Sequence, residues 1–200
     1  WPPPHLDPAS REPMPVPYLE NPPSVLPIDV GRQLFVDDFL VAQTTLSRTF
    51  HQAEKHTGNP LLRPESDLEM NDGRCPVACP FGDGVFYDPD DEYFKTWYHA
   101  GWFDGTALAF SRDGIHWERP AFDVVPGINR VIAPRTDFRR DGVSVWLDHN
   151  AEDPAERFKM FLYARSETHG TGGRLWTSPD GIHWAERTRT APVGDNTSMF

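Results

Sequence analysis

Asp113-Gly114-Ile115-His116-Trp117 returns as Asp180-Gly181-Ile182-His183-Trp184, 67 positions later. A fixed internal period limits the fold of a chain more tightly than any single residue does. The match extends upstream. Val85-Phe86-Tyr87-Asp88 aligns with Val145-Trp146-Leu147-Asp148 at an offset of 60, and Phe94-Lys95-Thr96-Trp97-Tyr98 with Phe158-Lys159-Met160-Phe161-Leu162 at 64. The offset grows by four and then three, within polar, turn-forming stretches around 150–153 and 167–173. Insertions confined to turns are what a repeated sheet tolerates.

Each copy predicts four short strands. In the first they fall at about 75–80 or 84–88, 93–99, 106–111 and 115–118, and in the second at about 142–148, 157–164, 173–178 and 182–186. A four-stranded meander of this length is the size of one β-propeller blade, at the long end. The expected fold is therefore all-β, with one blade over about 67–120, a second over about 130–188 and a third starting near 194. Gly194-Asp195-Asn196-Thr197-Ser198-Met199-Phe200 repeats the pattern of 140–146, in which Asp is followed three positions on by Ser and then an apolar pair. Two blades leave an open sheet edge, which folded proteins avoid, so the remainder of the ring is expected from a longer chain or from a second chain. The Asp-Gly pair predicts a type I′ hairpin turn, with the following Trp packed between neighbouring blades. His116 and His183 recur with the whole turn, which points to a structural role.

Composition narrows the class. No segment holds a sustained 3.6-residue apolar period. No apolar run approaches the roughly 18–20 residues that span a bilayer, so no membrane association is expected. A net charge of −11 argues against nucleic acid, which demands clustered Lys and Arg. No charged-then-apolar leader precedes Trp1, and a secreted or periplasmic setting is favoured over a cytoplasmic one. Two cysteines, Cys75 and Cys79, are too few for a disulfide framework and stand either as a small loop bridge or as two thiols. Residues 1–27 hold ten of the 21 prolines and read as an extended arm or a leader, because proline removes backbone donors. Order is expected from 28 onward, with strands at 33–41 and 47–52. If Asp37 and Asp38 are adjacent in such a strand, they point to opposite faces.

Chemistry is expected on the axis. The first strand of a propeller blade lines the central channel, and Asp141 and Asp195 take the same place at the start of two such strands. Asp67, Glu69 and Asp72 occupy the corresponding zone of the first copy, with Asp72 nearest the strand. Converging carboxylates push each other's pKa values apart, which gives one acid and one base at a single pH. The competing reading is plain turn chemistry, since Asp72 and Asp141 precede Gly and Asp195 follows one. Trp97, Trp102, Phe103, His99, Arg74 and Arg140 are the candidate sugar contacts, Trp102 because Trp102-Phe103-Asp104-Gly105 reads as a loop, while burial between blades is the competing reading for Trp97. Clustered carboxylates admit a structural Ca²⁺, although no ligand loop is legible, and no other cofactor is required.

Leu34-Phe35-Val36-Asp37-Asp38-Phe39-Leu40, His51-Gln52-Ala53-Glu54-Lys55-His56 and Asn59-Pro60-Leu61-Leu62 resemble the start of a bacterial glycosyl hydrolase group related to glycoside hydrolase families 32 and 43. Ser111 to Trp117 and Gly194 to Ser198 resemble that group too, so the likeness covers about residues 30–200. It implies a five-bladed propeller, a carbohydrate substrate and an axial carboxylate site. There an Asp on the first blade is base or nucleophile, an Asp on the second orients and tunes, and a Glu on the third is commonly the acid. Asp72 and Asp141 carry the first two roles, although Met70-Asn71-Asp72 matches the family 32 motif only in part. The acid lies outside these residues unless Asp195 replaces it. The alternative is a carbohydrate-binding or scaffold propeller without catalysis. A sialidase-like ring is disfavoured, because no strict Ser-x-Asp-x-Gly-x-Thr-Trp word occurs.

Overall fold

The computed structural model describes residues 21, 23–25, 36–80, 82, 84–168 and 170–194 of the 200-residue chain. They divide into two units, 1–53 and 54–200. In the first, the described residues carry no strand, which corrects the expectation at 36–41 and 47–52. Asp37 instead closes a turn by accepting from Phe39 N at 3.0 Å, and Asp38 pairs with Arg48. A short polar side chain bonded to its own backbone competes with a strand ladder. The arm at 1–27 and the strand residues 33–35 lie outside the described residues, apart from exposed Asn21 and 23–25.

The second unit is mainly antiparallel β. It opens on a single helical turn, α1 (Asp67–Met70), which a strand-only reading did not anticipate. Ser66 and Glu69 form a capping box there, so two orphan backbone donors are met within one turn. β1 (Ala78–Cys79) and β2 (Val85–Asp88) both pair with the same edge of β3 (Tyr93–Ala100), as one strand interrupted between them. β4 (Gly105–Ser111) covers the other edge of β3. The expected fourth strand at 115–118 is reduced to one bridge, Phe110 with Glu118. The rest of that edge is completed by 129–131, through Leu108 N to Asn129 O and Val131 N to Thr106 O. The second sheet is a full meander in the order β5 (Arg139–Leu147), β6 (Phe158–Ser166), β7 (Gly170–Ser178) and β8 (Ala185–Arg189).

The repeat thus builds two sheets of one design, packed through a shared core. Trp97 and Leu108 from the first sheet meet Val143, Phe158, Met160 and Trp176 of the second. Trp97 is fully buried, and its indole Nε1 donates to Gly181 O at 2.8 Å, so its polar handle is satisfied inside that core. Trp184 stands edge-on to Trp97 and donates to the same carbonyl at 2.9 Å, as a tryptophan placed between two sheets should. Trp117 packs instead on Tyr98, Ala107 and Ala109, on the other face of the first sheet.

The turn type differs from the type I′ expectation. Gly114 and Gly181 have φ of 73° and 76°, but neither preceding Asp has positive φ. The Asp side chain does that work, accepting from the two backbone N–H groups that follow the glycine. An Asx-type loop replaces the two-residue turn. Exposed Cys75 and strand residue Cys79 are not bridged.

Candidate functional site

β3 ends, β4 and β5 begin, and β6 ends at one edge of the two sheets. The loop joining β3 to β4 is tight. Gly101 has φ +71°, and a Cβ there would lie 2.5 Å from Leu68 O, so only glycine fits. Phe103 is also left-handed, at φ 55°, and its N–H donates to His99 Nε2 at 2.8 Å. That geometry turns Trp102 outward, 46% exposed, with its ring stacked on His99 at 5.6 Å and 13°. Sequence placed Trp102 in a loop, and it is a loop platform.

His99 is buried and neutral. Burial, and then the positive charge of Arg140, push its pKa down to about 3. Because Nε2 accepts from Phe103, the ring proton sits on Nδ1. Arg140 is buried as well, its Nε donating to Thr106 Oγ1 at 3.1 Å and its Nη1 to Asp141 O at 2.7 Å. Thr106 pairs with His99 across β3 and β4, which brings Arg140 against the histidine.

Asp141 lies in a β-bulge. Between Arg140 and Val143 the register of β5 on β6 gains one residue, and a bulge re-aims the side chains it contains. The Asp141 carboxylate accepts from Arg165 Nε at 2.5 Å, and the Arg165 guanidinium also lies 5.4 Å from the Phe103 ring. Trp102, His99, Phe103, Arg140, Asp141 and Arg165 are therefore one connected patch. Beside it a pocket of about 170 Å³ is lined by Phe103, Asp104, Thr106, Arg130, Arg139 and Arg140, among others.

Asp72 and Arg74 stand apart from that patch. Asn71, Asp72 and Gly73 are successive left-handed residues, and the Asp72 side chain is 87% exposed, with Arg74 Nη2 at 3.4 Å. The turn abuts the platform loop, since a Cβ on Gly101 would sit 3.3 Å from the Asn71 Cβ. No hydrogen bond or ion pair joins Asp72 to Asp141 among the described residues. Asp195 lies outside the described residues.

Three participants escaped the sequence reading in their actual roles. Arg165 was legible only through the pairing of β5 with β6, where it stands opposite Arg139. Phe103 was a candidate sugar contact in a loop, without its contact to Arg165. Glu69 is fully buried, accepting from Glu65 N, Ser66 N, Tyr98 OH and Arg119 Nε within 3.0 Å. Burial raises its pKa, but those four donors outweigh burial and hold it below the usual carboxylate range. It anchors α1 to β3, and Ser66-x-x-Glu69 was the available signal. Among the described residues no three His, Cys, Asp or Glu side chains gather to hold a metal, and no helix is long and apolar enough to cross a membrane.

No known protein family, curated protein or solved structure matches this chain.

Proposed function

We propose that the two sheets are blades of a β-propeller, five-bladed when complete, and that the patch around Trp102 forms part of a glycoside hydrolase site. One observation carries the reading. An exposed indole is held parallel on a buried neutral imidazole and against Phe103. Through these rings Arg140, on the histidine side, and Arg165 with the Asp141 carboxylate, on the phenylalanine side, are linked to it. Sugar rings stack their C–H faces on such platforms, and carboxylate and guanidinium groups read their hydroxyls. In this reading Asp72, exposed on the turn beside the platform, serves as base or nucleophile. Asp141, held by Arg165, orients substrate and stabilises positive charge on the sugar ring. The acid comes from a further blade, or from Asp195.

A carbohydrate-binding propeller without hydrolysis is the second reading. It is favoured by the Asp141–Arg165 pair, because a carboxylate already occupied by a guanidinium binds hydroxyls well but attacks poorly. Incubation with a panel of aryl glycosides and of plant and algal polysaccharides separates the two. Hydrolysis that falls at least about 100-fold in both Asp72→Asn and Asp141→Asn supports the enzyme. Binding that is lost in Trp102→Ala, with no product released, supports the binding module. Neither binding nor release on any member rejects both.

A further inference from the structure

The repeat makes positions in the two sheets equivalent, and their surroundings differ. Phe86, Asp88, Lys95, Trp97 and Leu108 of the first sheet correspond to Trp146, Asp148, Lys159, Phe161 and Leu175 of the second. The first set is covered by the second sheet. Asp88 and Trp97 are fully buried there, and Lys95 is 5% exposed. The second set is more open, although the Trp146 ring still meets Phe86 of the first sheet edge-on at 6.4 Å. Trp146 is 39% exposed, and Phe161 and Leu175 are half-buried.

The clearest contrast is between the two aspartates. Asp88 accepts from Lys95 of its own sheet at 2.7 Å, and then from Arg157 of the next sheet through Nη1 at 2.9 Å and Nη2 at 2.5 Å. Arg157 precedes β6 by one residue, so the next meander supplies a bidentate rivet to the carboxylate before it. Asp148 keeps the equivalent of the lysine, Lys159, together with a bond from Asn150 N. Its side chain is 20% exposed, against 1% for Asp88.

We propose that this open face of the second sheet seats a third meander of the same repeat, carried by the same polypeptide, whose arginine reaches Asp148 as Arg157 reaches Asp88. The sequence from 194 to 200 repeats that of 140–146, which opens the second meander and supplies the source. A second copy of this chain fits less well. Its Arg157 is held by its own Asp88, and the matching position in its first sheet is Tyr93, whose ring is taken by Phe110 and Arg112. The inference rests on the ring reading above but not on hydrolysis.

The test uses the protein as its gene encodes it. Thermal melts compare Asp148→Asn with Asp88→Asn, and hydroxyl-radical footprinting compares oxidation of Trp146 with that of Trp102. A third meander predicts that the two substitutions lower Tm by similar amounts, and that Trp146 is oxidised at least about five-fold more slowly than Trp102 at every protein concentration. A silent Asp148→Asn, or a Trp146 as reactive as Trp102, overturns it. Protection that appears only as concentration rises overturns the source, because a second copy is then the cover. Should Asp88→Asn fail to fold, the Trp146 to Trp102 ratio and its concentration dependence decide alone. A protein that hydrolyses nothing but shields Trp146 keeps this inference and loses the enzymatic reading.

Discussion

In both copies of the pentapeptide the same bonds recur at nearly the same lengths. Ser111 and Ser178 Oγ accept from the Asp N–H at 3.3 Å and from the Gly N–H at 2.9 and 2.8 Å. Asp113 and Asp180 Oδ1 accept from the next two N–H groups at 2.8 Å, and Oδ2 meets the His Nδ1 at 2.7 Å. Local sequence fixed all of that twice over. Yet nothing lies within 4 Å of a Cβ placed on Gly114, whereas one on Gly181 would meet Trp97 at 2.5 Å. His116 has one carboxylate and His183 has two, the second being Asp123 at 2.9 Å. One word thus yields a free loop in the first sheet and part of a joint in the second. A repeated motif specifies its own conformation, and position in the assembly decides what that conformation is for.

The largest effect is expected at the rivet between the sheets. Asp88→Ala leaves Lys95 and Arg157 facing a low-dielectric interior, and should cost about 3–5 kcal/mol in urea denaturation. Asp91, 45% exposed on the same lysine, should cost less than about 1 kcal/mol when replaced by Ala. Equal losses would show that burial between the sheets is not what distinguishes them.

Next come the glycines. Gly181→Ala combines left-handed strain with a clash against Trp97 and should cost about 3 kcal/mol, whereas Gly114→Ala carries the strain alone, about 1 kcal/mol. The two-copy contrast fails if they destabilise alike.

The third prediction concerns acid. His99 is titratable where the second sheet has Tyr163 at the equivalent position. Its folded pKa of about 3 lies below the unfolded value of about 6.5, so the folded state binds fewer protons between them. Stability is full above pH 6.5 and falls with acidification, by up to about 1.4 kcal/mol per pH unit. His99→Tyr should flatten that limb in denaturant midpoints measured from pH 7 to pH 4.

The smallest effect runs the other way. Asp180 and Asp123 raise the pKa of His183, so its contribution is full below the unfolded value and fades as pH rises through the folded one. His183→Gln should remove a slight, salt-sensitive gain on moving from pH 8 to pH 6. An NMR titration placing His183 at or below 6.5 would reject it.

The meanders were legible because β pairing follows alternation and turns, both of which are local. β3, β4 and β6 fall within two residues of their expected ends. β8 does not, starting at Ala185 rather than 182, because the Asx-type loop consumed the residues between. The outer edge of the first sheet was illegible for a different reason. Its cover comes from 129–131, eleven residues beyond Glu118, and no local pattern announces that return. At the site, residue type and loop position singled out Trp102, His99 and Arg140, but nothing in the sequence brought them into one patch. Arg74, singled out with them, lies on exposed Asp72 instead. Arg165 and the Asp141 bulge required a register that only the folded sheet defines.

Gly181 O gives the molecule an optical property. It accepts from the indoles of Trp97 and Trp184, whose ring centroids lie 6.3 Å apart at 81°. Two chromophores that close and nearly perpendicular share their excited states, so the joint should carry an exciton couplet in circular dichroism. Neither tryptophan alone produces such a signal, and it vanishes when the sheets part, even while each keeps its strands.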